Sequence, residues 1–575
     1  MRNFSLRIYI AALFLVSGDA VFAQQNSKSF IQSLEKQNFW VDSVLSKMSR
    51  HDKIAQLFMV RILSNKDSAY NDSVIAAVEK NRLGGVIFFQ GGPVRQASLT
   101  NRLQRVSNIP LLVAIDGEWG LGMRLDSTIS YPYQMTLGAI QDTRLIYQMG
   151  QEVAREFRRL GIHMNFAPDM DVNNNPRNPV INFRSFGENK YNVARKGVAY
   201  MKGMQDGGLL TTAKHFPGHG DTDVDSHADL PLLNFTRERL DSLELFPFRD
   251  AIMSGISGIM VAHMNIPALD TTKNLPSTLS QPIVTGLLKK QLGFTGLVVT
   301  DAMEMKGVTK NYPGGKADVL AILAGNDLLE LSENTPRAIK MVRQAIRHDS
   351  LSWADIDAKV KKILTAKYWA GATTFKEVKT DGLLADLNRN SSRAFIQKLT
   401  DAAITQLKGQ NLLPIRPDFI SRTAIISVGP EKQTIFQQEL RREYPDATIF
   451  NIPNAATAAD IERLKTTLRS YGRFFLGLHD TRTRPYSELN YSSAVKMFIA
   501  EMSRKETYTA IFANPYTVAG LPGVEESKVL LIGYQPGDEM QRSAVKVLNG
   551  KMRATGRLPV TINTFFKFGD GIVLR

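Results

Sequence analysis

Residues 214–227 read KHFPGHGDTDVDSH and gather Lys214, His215, His219 and His227 with the carboxylates of Asp221, Asp223 and Asp225. Three of the 8 histidines in the chain fall in this window. An imidazole takes up and releases a proton near neutral pH. Asp225 stands two residues before His227, close enough to orient the ring and raise its basicity, an arrangement suited to a general acid/base. Pro217, Gly218 and Gly220 mark the segment as a loop. Dense ionisable chemistry on a glycine-punctuated loop points to an active site.

Such a loop needs rigid elements behind it. Between about residues 50 and 335, eight short aliphatic or β-branched runs recur: FMVRI from Phe58, GGVIFF from Gly84, LLVAID from Leu111, MNFAPDMDV from Met164, TTAKHF from Thr211, GIMVAHM from Gly258, GLVVTD from Gly296 and NDLLEL from Asn326. Continuous apolar runs bounded by turns suit strands buried on both faces. Periodic stretches such as 144–161 and 280–293 read as the intervening helices. Eight alternations of strand and helix predict a (β/α)8 TIM-like barrel. Polar residues collect where the runs end, at Asp116, Asp169, Asp171, Lys214, His215, His263 and Asp301, and such barrels build their sites at the C-terminal ends of their strands. No GxGxxG turn follows the first run, which disfavours a doubly wound sheet. The pattern restarts with TAIISVG (423–429), RFFLGLH (473–479), YTAIFAN (508–514) and SKVLLIGY (527–534), a C-terminal α/β sandwich domain. The expected boundaries are a signal peptide over 1–23, the barrel over 24–375, a helical connector over 376–404 and the second domain over 405–575.

Composition narrows the setting. With 575 residues, 43% hydrophobic and 22% charged, the chain is ordinary for globular protein of at least two domains. Its formal charge of +16 is scattered, and no nucleic-acid-binding signature accompanies it, so no nucleic-acid partner is expected. Arg2 and Arg7 precede an apolar run from Ile8 to Val16, and Val21-Phe22-Ala23 suits cleavage before Gln24. That pattern is a secretory signal peptide, too short for a membrane span. The absence of cysteine rules out disulfides, thiolate metal sites and a lipidated cysteine anchor. An exported protein, periplasmic or secreted and without stable membrane insertion, is expected.

KHFPGHGDTDVDSH, PSTLS (276–280) and GFTGLVVTDAMEMKGV (293–308) together resemble glycoside hydrolase family 3, and more narrowly its bacterial β-N-acetylglucosaminidase branch. IDGEWGLGMR (115–124), NFAPDMDVNNNPRNPVINFRSFG (165–187) and AHMNIPALD (262–270) agree; NLLPI (411–415) and GRLPVTI (556–562) extend the likeness more weakly into the second domain. Several long motifs in order are far more specific than one short pattern. The resemblance implies a retaining hydrolysis in which Asp301 is the nucleophile, His227 the general acid/base and Asp225 the residue that orients it. It implies saccharide contacts from Asp116, Arg124, Arg184, Lys214 and His215, with His263 lining the pocket. A strand-end aspartate is rigidly placed, and a nucleophile stays ionised only beside donors or positive charge; Lys214, Arg124 and Arg184 are candidates for that task. The glycine-rich sugar motif reads DGEWG here, so Trp119 is a departure at the pocket rim. His219 and Asp221 are expected to brace the loop through Asx-type turns, and His479 and Asp480 to cap a second-domain strand.

The expected activity is exo-acting release of terminal non-reducing GlcNAc from peptidoglycan-derived fragments. Phosphorolysis of the same bond and broader family 3 β-glycosidase activity are the alternatives, because a neutral imidazole would not repel an incoming phosphate. Three rivals differ in kind. A metal-dependent hydrolase would use His215, His219, Asp221, His263 and Asp301. Substrate-assisted catalysis would have Asp116 or Glu118 orient the acetamido group. A non-catalytic binding protein would need neither Asp301 nor the Asp225–His227 pair. The resemblance implies no metal, no cofactor and a carbohydrate partner; a monomer is expected.

Overall fold

The structure, a computed structural model, describes residues 29–572 apart from His227 and residues 418, 419 and 483. The signal-peptide expectation over 1–23 and the role assigned to His227 lie outside the described residues. The eight runs form eight strands: β1 (Phe58–Ile62), β2 (Gly85–Phe88), β3 (Leu112–Ile115), β4 (Met164–Asn165), β5 (Leu210–Phe216), β6 (Gly258–Val261), β7 (Leu297–Thr300) and β8 (Leu329–Glu330). They pair in parallel in the order β7-β6-β5-β4-β3-β2-β1-β8. The last seam, between β7 and β8, carries a single bridge from Val299 to Leu328 and a 3.0 Å bond from Thr300 N to Leu328 O. The sheet is therefore a barrel closed at its weakest point by two-residue β8. Every residue of β2, β3, β6 and β7 is buried, because core side chains fill the inside and helices cover the outside.

β4 is short for a local reason. Pro168 has no N–H to extend a ladder, so regular pairing stops early; the chain still follows β5 through a bridge from Asp169 to Lys214 and so delivers Asp169 and Asp171 at the strand's end. Two outer helices, Thr143–Arg159 and Lys190–Asp206, flank this segment. They touch backbone to backbone: a Cβ on Gly203 would meet Tyr147 O at 2.0 Å, and one on Gly150 would meet Tyr200 O at 2.5 Å. Each begins on a side-chain cap, Asp142 and Asn189. The helix after β6, Pro282–Gln291, is wound more widely, as a π-helix.

Beyond the barrel come helices Leu383–Leu387 and Asn390–Ala403. A second sheet follows: β9 (Thr405–Lys408), β10 (Thr423–Gly429), β11 (Thr448–Pro453), β12 (Arg473–His479), β13 (Thr507–Phe512) and β14 (Val529–Ile532), in the order β11-β10-β12-β13-β14-β9. All pairs are parallel except β14 with β9. The two domains are joined by specific bonds. Gln535 Oε1 accepts from Tyr133 N at 3.0 Å and Thr136 Oγ1 at 2.7 Å. Thr561 donates to the Glu188 carboxylate through both N and Oγ1 at 2.7 Å. Asn514 Nδ2 donates to Asn182 Oδ1 at 2.6 Å, and Asn173 Nδ2 to Tyr516 OH at 3.0 Å.

Candidate active site

The turn after β3 presents two acids, Asp116 and Glu118. Asn165 holds it from β4, accepting from Gly117 N at 2.9 Å and donating to Gly117 O at 3.1 Å. Tyr200 OH fixes Glu118 O at 3.0 Å. Gly120 completes the turn at φ 81°, left-handed backbone that a side chain would strain.

β5 supplies the opposite charges through an irregularity. Against β6, Thr212 and Ala213 pair with Gly258 and Ile259, but the next pair is Phe216 with Val261. Regular pleating would send Lys214 and His215 to opposite faces. The register shift lets both meet site residues, and both are buried. Lys214 Nζ donates to Asp116 Oδ1 at 2.7 Å and lies 2.8 Å from Glu118 Oε1. Arg124 Nη2 reaches Asp116 Oδ2 at 2.7 Å. Arg184 grips Glu118 with Nη2 at 2.6 Å and Nε at 3.0 Å. The chain Arg124–Asp116–Lys214–Glu118–Arg184 thus alternates in sign. Burial by itself would raise both carboxyls. Lys214 and Arg124 outweigh it at Asp116, which is held well below the usual range; Arg184 and Lys214 bring Glu118 down to about 2. Burial would lower the Lys214 ammonium, but Asp116 and Glu118 raise it instead.

The chain continues into a histidine. Arg184 Nη2 lies 3.4 Å from His215 Nε2, and His215 Nδ1 lies 2.7 Å from Asp171 Oδ2. A guanidinium only donates and a carboxylate only accepts, so Nδ1 carries the proton and Nε2 is the acceptor. Asp171 also accepts from His215 N at 3.2 Å and His219 N at 2.6 Å. Despite its burial, His215 and then His219 hold its carboxyl below the usual value. Asp169, beside it, is pushed well up by burial and by Asp171. Atoms of Asp169, Asp171 and His215 lie within 4.8 Å of one another, a grouping that could in principle take a metal. Here His215 Nδ1 and Asp171 are already joined by a hydrogen bond, and burial and Asp171 favour the neutral form of Asp169.

The nucleophile candidate sits across the barrel. Asp301 follows β7, with its N donating to Val261 O at 3.0 Å and its Oδ1 accepting from Ala302 N at 2.7 Å. His263 lies beneath this turn, 3.1 Å from Ala302 O through Nε2 and 2.7 Å from Thr278 Oγ1 through Nδ1. As placed, its Nε2 braces the Asp301 turn while its Nδ1 ties the ring to Thr278. On β8, Glu330 is 3% exposed, and among the described residues its Oε2 has no hydrogen-bond partner. Its N donates to Thr300 Oγ1 at 2.9 Å, and Met303 N donates to its carbonyl at 2.9 Å. Burial, then Asp116, then Asp301 push its carboxyl well up.

The loop carrying Asp225 lies beside the segment after Asp301. A Cβ on Gly307 would meet Ser226 O at 3.0 Å, and Lys310 pairs with Asp229 at 3.1 Å. Asp225 is half-buried and its carbonyl accepts from Ala228 N and Asp229 N. His219 does brace this loop, through Thr222 Oγ1 at 2.7 Å and Ser226 Oγ at 3.1 Å rather than through an Asx turn. Burial lowers its imidazole to about 4. Asp221 pairs with Arg239 at 2.6 Å. Among the described residues the five zinc candidates are not gathered on one point: His215 and His219 share Asp171, Asp221 pairs with Arg239, and His263 contacts the turn that carries Asp301. Trp119 forms an aromatic cluster at the rim, with ring centroids 4.9 Å from Tyr133 and 6.0 Å from Phe183. In the second domain, Asp480 caps its strand by accepting from Arg482 N at 3.1 Å and pairing with the same guanidinium.

Sequence reasoning brought together Asp116, Arg124, Arg184, Lys214 and His215, which form one connected wall. It underweighted Glu118 and Asp171, the wall's other acids, and passed over Glu330. The signal for Glu330 was a carboxyl ending an otherwise apolar run.

A family model described as Glycosyl hydrolase family 3 N terminal domain matches residues 50–366. Beta-hexosaminidase A of Pseudoalteromonas piscicida is 33% identical over 396 residues, which are 63% of this chain and 65% of that protein. The chain thus spans slightly less than two thirds of that relative's length. A beta-N-acetylglucosaminidase/beta-glucosidase of Cellulomonas fimi is 24% identical over 91% of this chain and 95% of its own. Among solved structures, a glycoside hydrolase family 3 beta-N-acetylglucosaminidase from Paenibacillus sp. str. FPU-7 matches with TM-score 0.75 and 30% identity, over 90% of this chain and 99% of that one.

Proposed function

The chain belongs to glycosyl hydrolase family 3, and from that premise we propose that it is an exported, exo-acting, retaining β-N-acetylglucosaminidase. It releases terminal non-reducing GlcNAc from peptidoglycan-derived fragments. The observation that carries this reading is the alternating wall of Arg124, Asp116, Lys214, Glu118 and Arg184, set across the barrel mouth from Asp301. Ionised carboxylates and charged donors locked in place suit a polyol, since buried polar groups reject analogues that lack a hydroxyl. The activities for which the relatives are named favour an acetamido sugar.

In the first step the Asp301 carboxylate attacks the anomeric carbon. A C1–O ester bond forms, the glycosidic C1–O bond breaks, and His227 gives its proton to the departing oxygen. In the second step His227 takes a proton from water, the water oxygen attacks C1, and Asp301 leaves as carboxylate. Two displacements return the β-anomer. Asp225 orients His227. Asp116, Arg124, Arg184, Lys214 and His215 hold the sugar, and His263 supports the Asp301 turn.

The test compares p-nitrophenyl β-N-acetylglucosaminide with the β-glucoside and β-xyloside. Wild type is expected to prefer the acetamido sugar. Asp301→Ala is expected to lose at least about 10³-fold in kcat. His227→Ala is expected to lose about 10²–10⁴-fold, most of it in the second step, because nitrophenolate needs little acid help. A mass increment of one sugar on Asp301 would exclude acetamido-assisted catalysis. Sugar 1-phosphate released only in phosphate buffer would replace hydrolysis by phosphorolysis. GlcNAc release from muropeptides, compared with chitin oligosaccharides, tests the substrate.

A further inference from the structure

Glu330 is a buried carboxyl that the two-step mechanism does not use. It ends β8, between β7, which delivers Asp301, and β1. Its backbone is fixed from both sides by Thr300 and Met303. The charges that act on its carboxyl come from several walls of the barrel mouth: Asp116 after β3, Asp301 after β7, Lys214 on β5 and Arg124. Its Oε2 is buried with no partner among the described residues. A buried polar atom without a partner is costly, and one at the mouth of a substrate site is available to a bound group.

The wall opposite Asp301 is rich in acceptors for hydroxyl protons, and its cations are already engaged with Asp116 and Glu118. An amide carbonyl is different, since it only accepts. The β8–β1–β2 side of the mouth offers what an acetamido group needs. Burial, then Asp116 and Asp301, favour the protonated form of Glu330, whose buried Oε2 has no hydrogen-bond partner among the described residues. Phe89, at the end of β2, brings an apolar ring that lies within 4.6 Å of the Arg124 guanidinium and 4.7 Å of that of Arg61.

We propose that Glu330 determines specificity for the acetamido group, its unpartnered carboxyl donating a hydrogen bond to the acetamido carbonyl oxygen of a sugar lodged between Asp116 and Asp301. The proposal rests on the reading of the chain as a β-N-acetylglucosaminidase. It assigns Glu330 no part in bond cleavage.

The experiment measures kcat/KM on the acetamido and gluco nitrophenyl substrates for wild type, Glu330→Gln and Glu330→Leu, together with Tm. Gln keeps a donor at the same reach; Leu removes it. Glu330→Leu is expected to lose about 10–100-fold on the acetamido sugar and to stay within about 3-fold on the glucoside, so the preference collapses. Glu330→Gln should retain most of the preference. The Tm of Glu330→Leu should hold or rise, because an apolar side chain removes an unsatisfied carboxyl, whereas a structural glutamate would cost stability. Equal losses on both sugars, an unchanged ratio in Glu330→Leu, or Gln as damaging as Leu would each overturn the proposal. A wild type that prefers the glucoside would sink this proposal and the acetamido reading together. A wild-type preference that survives in Glu330→Leu sinks this one alone.

Discussion

Asp171 touches no candidate substrate atom, yet three groups depend on it: His215 N, His215 Nδ1 and His219 N. Asp171→Asn keeps the shape but can turn an amide N–H toward Nδ1. The proton then moves to Nε2, which faces the Arg184 guanidinium, donor against donor. The expected loss in kcat/KM is about 10–100-fold, the scale of removing a residue that orients a site imidazole, with little change in fold by circular dichroism. Asp116 and Glu118 set a pH expectation. Their folded values lie below the ordinary 3.8 and 4.5, so the stability they add is present above those values and is lost as pH falls through the folded ones. Sugar binding to Asp301→Asn, followed by calorimetry, should therefore persist down to about pH 4.5. A loss already complete at pH 6 would show that other groups carry recognition.

At the scale of elements, the 217–220 segment is pressed onto the chain after β4. A Cβ on Gly220 would meet Val172 O at 1.9 Å, so Gly220→Ala must displace the loop that holds His219 against Asp171. A displacement near 1 Å costs about 100-fold in rate, and kcat/KM should fall on that scale while secondary structure persists. The eight barrel strands were legible because burial on both faces writes them as unbroken apolar runs. β9 and β11 were not. They are the two edges of the second sheet, β11 is half-exposed through most of its length, and neither reads as a buried run. Nor could spacing reveal the register shift in β5, which depends on how β6 pairs with it. Lys214 and His215 were found by motif, but their joint orientation is a tertiary fact. Glu330 was hidden because a terminal glutamate on an apolar run reads equally well as the solvent end of a strand.

At the scale of the molecule, the two domains meet through Gln535, Glu188, Asn182 and Asn173. Gln535→Ala removes acceptors from Tyr133 N and Thr136 Oγ1. Two hydrogen bonds at about 1 kcal/mol each lower Tm by about 2 °C in a chain of this size. Scanning calorimetry should show one transition in wild type; two separated transitions would mean that the seam is too weak to couple the domains. No described helix is long and apolar enough to cross a membrane. The alternating wall has a consequence in time. Its members come from the turn after β3, from β5, from the segment after β4 and from the 182–184 turn, and its partner Asp301 comes from β7. No half of the barrel holds them all. During refolding, secondary structure and collapse can precede any affinity for sugar, which arrives only as the ring of strands shuts. Recovery of ligand binding would then clock the final closing event, later than the return of helical signal.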